Sequence, residues 1–484
     1  MSFFKANRTH HVTLSMEKYF ISKSNQQRLI LTFLGWGTDA TPFQHLHKPG
    51  YDILALYDYA DFTTSTTVNE ISDLLTPYHE IIVVAWSFGV RIANTFLRNS
   101  GKNLPITHAI AINGTTFHIH DTHGIPTAIF NGTLQNLSPA SIRKFERRMF
   151  ASAADFAEYQ QTTPQRTFES RLKELQLFGT LPTEAPSNIW NRIIIGSDDL
   201  IFPTTNQLNA WENHNAETID TLPHFPNLQH IIDKYVIDKD LVAKRFTDAL
   251  PTYRNNASVQ TRVAQQLWQL TEPHVPTPSS NIKILEIGIG HGLLTEHYIH
   301  TYHCADTQLW DIAYIPAEQL PRSAHFTQCD AETAIKNLAP NSVDLILSSS
   351  TLQWFNAPTN FLKEVCRVLS PNGIAAIALY GPGTYQEIAD ITGETLKYLP
   401  IATLADAISP NAQIIESIES TEQETFSSVT TLLQHIKQTG VNAINRGSNQ
   451  NSMALKLLRN YPTTPNGSAI ITYKPIYLIF KKKA

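Results

Sequence analysis

Two short apolar runs each end in a small-residue turn that opens a helix-like stretch, and this pair of features limits the fold more than any other. Ala85-Trp86-Ser87-Phe88-Gly89 closes the first run, and Leu285-Glu286-Ile287-Gly288-Ile289-Gly290-His291-Gly292 closes the second. A buried strand that feeds a helix through a tight turn is the unit of a parallel sheet with helices on its faces. The first turn has the form of a nucleophile elbow, the second that of a glycine-rich nucleotide loop. One chain carrying both is expected to hold two α/β domains with two chemistries. Its 484 residues exceed the size at which a single hydrophobic core stops growing.

Strand-like runs at 29–34, 53–56, 81–85, 109–112 and 192–195 are separated by helix-like stretches, as βαβ units require. Between 131 and 183 the pattern turns to amphipathic helices without strands, which predicts a cap over the first site. Thr271-Glu272-Pro273-His274-Val275-Pro276-Thr277-Pro278-Ser279-Ser280 breaks the pattern before new runs at 283–287, 308–311, 324–328, 345–348 and 374–379. Two last runs, 468–473 and 475–480, flank a Lys-Pro turn. Residues 1–15 show no periodicity and read as an N-terminal extension. The first domain is expected over 16–235, with its cap at about 131–183, and the second over 236–484.

A formal net charge of −5 argues against nucleic acid, whose phosphates call for a basic surface. Cys304, Cys329 and Cys366 have neither CxxC spacing nor even pairing, so reduced thiols and no metal site are expected. No apolar stretch approaches the ~20 residues that span a bilayer, and the first residues lack the apolar core of a signal peptide. A cytoplasmic protein without membrane or nucleic-acid partners is expected.

A serine becomes a useful nucleophile only when a base takes its proton and donors stabilise the oxyanion. Ser87 sits at the elbow, with Ala85 and Gly89 as its small neighbours; the first of these positions is more often glycine. The order on such a fold is serine, acid, histidine. Gly196-Ser197-Asp198-Asp199 supplies the acid, Asp199 being preferred over Asp198 for its spacing to Pro203, and His224 supplies the base. The backbone N–H groups of Phe88 and of Trp36, in Gly35-Trp36-Gly37, are the expected oxyanion donors.

Gly35-Trp36-Gly37-Thr38-Asp39, Ala85-Trp86-Ser87-Phe88-Gly89-Val90-Arg91, Ala111-Ile112-Asn113-Gly114-Thr115, Gly124-Ile125-Pro126, Asn131-Gly132-Thr133-Leu134 and Phe202-Pro203-Thr204-Thr205-Asn206-Gln207 together resemble the BioG family. The resemblance runs from about Met16 to Asp233. It implies an α/β-hydrolase that cleaves the methyl ester of pimeloyl-acyl carrier protein. Arg143, Lys144, Arg147, Arg148, Arg166 and Arg171 would make the cap basic, and Arg143, Arg147 and Arg148 are the expected contacts to an acidic carrier protein.

In the second turn, ExGxGxG departs from the GxGxxG of dinucleotide loops, because residue 293 is leucine. S-adenosylmethionine is the expected ligand, its sulfonium suited to a nearby Glu286. Gly288, Gly290 and Gly292 would let the backbone approach it, Asp311 would meet the ribose hydroxyls, and Asp330 the adenine amino group with Ala331 beside it. Asp344-Leu345-Ile346-Leu347-Ser348-Ser349-Ser350-Thr351-Leu352-Gln353-Trp354, Tyr253 through Ala257, Gln260, Arg367 through Gly373, Gly381-Pro382-Gly383-Thr384 and Leu433 through Asn442 resemble the BioC malonyl-acyl carrier protein O-methyltransferases. That resemblance covers about Lys244 to Phe480 and departs at Arg254, where aspartate is usual. It implies a class I Rossmann-like methyltransferase, with Ser348 at the cofactor, Gln353 and Trp354 at the acceptor, and Tyr253 and Gln260 in a lid.

The two resemblances imply one biotin-synthesis enzyme that methylates malonyl-acyl carrier protein, or malonyl-CoA, and later cleaves the pimeloyl methyl ester. Two alternatives stay open on the residues alone. One is a general esterase or thioesterase fused to a small-molecule methyltransferase; the other is an inactive hydrolase serving as a carrier-protein docking module.

Overall fold

In the first half of the chain the fully apolar runs become the middle of a sheet, because only strands covered on both faces can be apolar at every position. The computed structural model describes residues 16–60, 71–100, 104–214, 216–275, 277–278, 282–303, 305–393, 395–440 and 450–483. The extension 1–15, Cys304, the Pro276, Ser279 and Ser280 of the linker, and Val441-Asn442 of the BioC resemblance lie outside them. The chain divides into two units, one ending at Ile231 and the next beginning at Ile232. The helix Leu228–Tyr235 spans that point, slightly ahead of the expected boundary at 235.

The first unit contains β1 (Glu17–Ser22), β2 (Arg28–Phe33), β3 (Asp52–Tyr57), β4 (Glu80–Trp86), β5 (Ile106–Ile112), β6 (Arg192–Asp198) and β7 (Ala216–Pro223). They form one sheet in the order β1-β3-β2-β4-β5-β6-β7, parallel except for the antiparallel edge pair β1–β3. β4 and β5 are buried at every position. The two edge strands escaped the sequence reading because β1 and β7 are half exposed and carry polar residues.

Helix α1 (Gly89–Ser100) leaves β4 through the elbow. Between β5 and β6 stand four cap helices: α2 (Thr127–Gln135), α3 (Pro139–Arg148), α4 (Ala153–Tyr159) and α5 (Phe168–Thr180). Ser138, Ser152 and Thr167 start the last three, each side chain accepting the N–H of the third residue on. The cap thus begins a few residues before the expected 131. Helix α6 (Thr204–Ala210) follows β6.

The second unit begins with α7 (Lys239–Asn256) and α8 (Ser258–Thr271), then β8 (Lys283–Ile287), β9 (Asp306–Asp311), β10 (Ala324–Gln328), β11 (Val343–Ser349), α9 (Pro358–Val368), β12 (Leu369–Tyr380), β13 (Ala412–Glu419), β14 (Glu422–Phe426), β15 (Ala469–Tyr473) and β16 (Pro475–Lys482). Its sheet runs β10-β9-β8-β11-β12-β16-β13, with β16 antiparallel to both neighbours. Residues alternate strictly between its faces. Leu345, Leu347, Ala376 and Ala378 enter one core cluster, while Ile346, Ala375 and Ile377 enter the other. The last two runs part company at the Lys-Pro turn: β15 pairs with β14 in a small separate sheet, and β16 enters the main one.

Gly89 makes the elbow possible by letting α1 start against β2, since a Cβ there would stand 2.2 Å from the Phe33 carbonyl oxygen. Gly89→Ala is expected to cost about 1–3 kcal/mol, as overpacking typically does. A guanidinium unfolding midpoint equal to that of the unaltered protein would refute the close approach.

Candidate active sites

At the end of β4 the chain must reverse into α1 within two residues, and Ser87 takes the strain. Its φ of 59° lies in the left-handed region, which costs a residue with a side chain about 1–3 kcal/mol. Ser87 N–H donates to the Ile112 carbonyl at 3.0 Å, which locks the turn to β5. The conformation lifts the hydroxyl clear of the sheet, and His224 Nε2 meets Ser87 Oγ at 3.0 Å. His224 Nδ1 lies 3.0 Å from each Asp199 carboxylate oxygen. Asp198 instead is exposed, and among the described residues its carboxylate accepts only the Ser197 hydroxyl.

Ser87, Asp199 and His224 are all buried, so their side chains interact at low dielectric. The Asp199 carboxylate also accepts the N–H groups of Ile201 and Phe202 at 2.8 and 2.9 Å and the Gln207 amide at 3.1 Å. The His224 carbonyl accepts Trp86 Nε1 at 2.7 Å and Asn113 Nδ2 at 3.1 Å. Asn113 in turn accepts the Gly196 N–H at 2.7 Å, joining the histidine loop to the start of the acid loop. Gln207 and Asn113 stand in the motifs of the BioG resemblance, but sequence reasoning gave neither a role.

Gly35 packs on the serine: a Cβ there would stand 3.0 Å from that of Ser87. The backbone N–H groups of Trp36 and Phe88 have no hydrogen-bond partner among the described residues. Such an arrangement can polarise a serine and offers donors beside it for a developing oxyanion. Aromatic rings flank it. Phe88 lies 4.4 Å from Phe178 and 5.7 Å from Phe202 between ring centroids, and Phe202 stacks on the His224 ring at 6.1 Å.

The cap is less basic in effect than its composition implied. Arg166 ion-pairs with Asp58 and with the buried Glu174, and Arg171 pairs with Glu146 at 3.0 Å. Arg147 donates to the Phe150 carbonyl of its own loop at 2.9 Å. Arg143, Lys144 and Arg148 remain exposed, the last donating to the Leu200 carbonyl.

In the second unit a cleft enclosing about 960 Å³, partly open to solvent, lies at the carboxyl ends of β8, β9 and β11. Its lining includes Glu286, Gly288, Gly290, Asp311, Asp330, Ala331, Tyr253, Gln260 and Trp354. Gly288, Gly290 and Gly292 have φ values of 75°, 49° and 74°, so side chains would strain the turn. A Cβ on Gly290 would meet nothing within 4 Å, which leaves room for a ligand against it. Gly292 shapes the turn without lining the cleft.

The acids come from successive strand ends. Glu286 is buried; burial pushes its pKa up to about 7, while hydrogen bonds from Tyr298 at 2.6 Å and Thr295 at 2.8 Å hold it partly down. Asp311 accepts the Gly290 N–H at 2.8 Å and the Ala313 N–H at 2.7 Å, and burial raises its pKa despite them. One Asp330 oxygen accepts the Glu332 N–H at 3.1 Å, while the other is buried without a partner. The sequence reading missed Lys239 of α7, also on the lining, which ion-pairs with Asp330 at 3.4 Å and Glu332 at 2.8 Å.

Two expected contacts fall elsewhere. Ser348 is fully buried and donates to the Ile287 carbonyl at 2.9 Å, because it lies within β11; Ser349 at the strand end, and Ser350 and Thr351 beyond it, line the cleft instead. Gln353 is absent from the lining and donates to the Ser350 carbonyl at 2.6 Å. Trp354 and Gln260 face the cleft with Nε1 and Oε1 buried and unpartnered, and Tyr253 stacks on His291 at 5.6 Å. The described residues include no group of three or more metal-ligating side chains, and no helix long and apolar enough to cross a membrane.

Comparison with known proteins places these sites in families. Residues 16–231 match the family described as pimeloyl-ACP methyl esterase BioG, and residues 285–377 match a methyltransferase domain. A malonyl-(acyl-carrier protein) O-methyltransferase of Bacteroides fragilis (strain 638R) is 34% identical over 471 residues, covering 95% of this chain and 94% of that protein. One of the same description from Bacteroides thetaiotaomicron is 30% identical over 264 residues, covering 51% of this chain and 99% of its own. The crystal structure of BioG from Haemophilus influenzae is 33% identical and covers 43% of this chain and 94% of that one, with a TM-score of 0.38. The chain belongs to the malonyl-(acyl-carrier protein) O-methyltransferase family, in a form that carries a BioG domain ahead of its methyltransferase domain.

Proposed function

We propose that this chain both installs and removes one methyl group in biotin synthesis, acting in the cytoplasm on acyl carrier protein. Its second unit would methylate the free carboxyl of malonyl-acyl carrier protein or malonyl-CoA, and its first would hydrolyse the methyl ester of pimeloyl-acyl carrier protein. The observation that carries the reading is the Ser87–His224–Asp199 relay, aligned at hydrogen-bond distance within a BioG domain. A relay already aligned also speaks against a hydrolase retained only for docking.

In ester cleavage, Ser87 Oγ attacks the ester carbonyl as His224 Nε2 takes its proton, and Asp199 holds the imidazole through Nδ1. The N–H groups of Phe88 and Trp36 receive the oxyanion. The proton passes from His224 to the departing methanol, and water then releases the acid from the acyl-serine by the same steps.

The cleft in the second unit suits S-adenosylmethionine in its donor set. Asp330 presents an unpartnered acceptor for an amino group, Asp311 a carboxylate at a strand end, Gly290 an open backbone, and Glu286 a counter-charge for a cation. When bound, that cofactor supplies an electrophilic methyl group. A malonyl carboxylate, with a pKa of about 4, is already ionised at neutral pH and needs no base. The residues Trp354, Phe246 and Tyr253 then have the tasks of excluding water and aligning the acceptor.

Ser87→Ala is expected to lower ester cleavage at least about 10³-fold while sparing methyl transfer, and Asp311→Ala to do the reverse. Loss of both activities from either change, in paired assays of one preparation, would overturn the assignment of separate sites.

The raised pKa of Glu286, at about 7, gives a pH dependence. Below it the free site holds a neutral acid, and a cation must displace that proton. S-adenosylmethionine affinity should therefore rise with pH through about 7 and level off above. The neutral thioether product should show no such rise, and Glu286→Gln should flatten the curve. Calorimetric titrations from mildly acidic to mildly alkaline pH that gave parallel profiles for the two ligands would refute it.

The aromatic flank of Ser87 gives the esterase a means of choosing. A pimeloyl chain has four more methylenes than malonyl, together worth about 3 kcal/mol on burial, or roughly two orders of magnitude in kcat/KM. Equal kcat/KM on the two methyl esters would show that the flank does not read chain length.

A further inference from the structure

The turn that carries the Trp36 N–H emerges from β2, yet the cap holds it. Glu174, in the middle of α5 and fully buried, accepts the Gly37 N–H at 3.0 Å through one oxygen and the Tyr59 N–H at 3.1 Å through the other. Trp36 Nε1 donates to the Arg171 carbonyl of the same helix at 2.9 Å. Arg166, just ahead of α5, ion-pairs with Glu174, reaches Asp58 at 2.7 Å, and donates to the Thr38 carbonyl at 3.4 Å. Among the described residues, every hydrogen bond that leaves 36–38 for another element ends on α5 or on Arg166. A carboxylate that spends both oxygens on backbone donors, neutralised by a guanidinium, is a specific fixture, since its burial would otherwise be unfavourable.

We propose that Glu174 is a positioning residue for ester hydrolysis. It fixes the oxyanion turn from the cap, so the Trp36 N–H reaches its working position only when α5 is seated. The proposal rests on the reading of Ser87 as nucleophile and Trp36 as donor. Its consequence is a coupling between what lies under the cap and the charge stabilised at Ser87. An acyl chain long enough to pack against Phe88 and Phe178, the latter on α5, would hold the cap down and complete the oxyanion site. A short one would leave α5 held by these tethers alone.

The test uses the full chain with Glu174→Gln, which preserves shape but not function. Its amide nitrogen must face an N–H at Gly37 or at Tyr59, so one tether is lost. Losing one oxyanion donor costs about 10²–10³ in kcat, so loosening one is expected to cost roughly 10- to 100-fold. KM for the pimeloyl methyl ester carrier should stay within about twofold of its original value, because the defect lies in the transition state. Labelling of Ser87 by a fluorophosphonate, whose adduct places an oxygen in the same site, should slow in proportion to kcat. Arg166→Met should give the same pattern more weakly, and is read by the same criteria if Glu174→Gln does not fold. A kcat unchanged by the substitution, a loss confined to KM, or normal labelling beside a reduced kcat overturns the proposal. If the unaltered chain neither cleaves the ester nor takes label at Ser87, the fault lies in the reading of Ser87 and not in the role of Glu174.

Discussion

Both sites depend on one constraint: directly after a parallel strand ends, at Ser87 behind β4 and at Gly288 behind β8, the backbone turns through the left-handed region. At β4 the chain puts a side chain there, Ser87 with φ of 59°, and holds the strain with a close-packed collar. At β8 it puts Gly288 there, with φ of 75°, where a Cβ would collide with Thr351. The first solution lifts the Ser87 hydroxyl out of the sheet; the second leaves open space against Gly290 at the cleft. Two chemistries thus follow from one backbone problem solved with different residues.

That constraint explains what the sequence made legible. An elbow and a glycine turn are local, so their spacing betrays them, as does the uniform apolarity of β4 and β5. The edge strands β1 and β7, and β13 in the second sheet, are partly exposed and carry polar residues, so no uniform apolarity marks them. Charge was read least well. Arg166 and Arg171 look like a docking surface in the sequence, and only the fold reveals that Asp58, Glu174 and Glu146 neutralise them. Ser348 and Ser350 belong to one serine run, yet the first lies inside β11 and is buried, while the second lies past the strand end, with φ of 57°, and lines the cleft. Asn113, Glu174 and Lys239 act through contacts made across many residues, which no spacing rule reports.

The electrostatics of the second cleft bear on the order of events. Its lining carries Glu286, Asp311 and Asp330, and its Lys239 is engaged by Asp330 and Glu332. A cleft so balanced favours a cationic ligand and gives a carboxylate acceptor no salt bridge to Lys239 that is not already shared. A carboxylate not clamped by a cation keeps its nucleophilicity, which suits a reaction in which that oxygen must attack. Once methylated, the group has lost its charge, and the several kcal/mol that would oppose its entry into apolar sites are gone.

Joining the two activities on one chain creates a risk of futile cycling, because the ester made in one unit is a substrate in form for the other. Distance along the chain does not remove that risk, since a carrier protein diffuses between sites. Discrimination has to reside in the hydrolase, and its architecture supplies two layers. The aromatic flank of Ser87 rewards each added methylene by burial, and that reward reaches the transition state only if binding and oxyanion stabilisation are linked. The cap helix α5 is placed to link them, because it presents Phe178 to the flank and Glu174 to the turn beside the nucleophile. A rigid oxyanion site would hydrolyse long and short esters at rates differing only by binding. A site completed by the cap lets chain length enter kcat as well, so the selectivity an uncapping enzyme needs follows from where one buried carboxylate is attached.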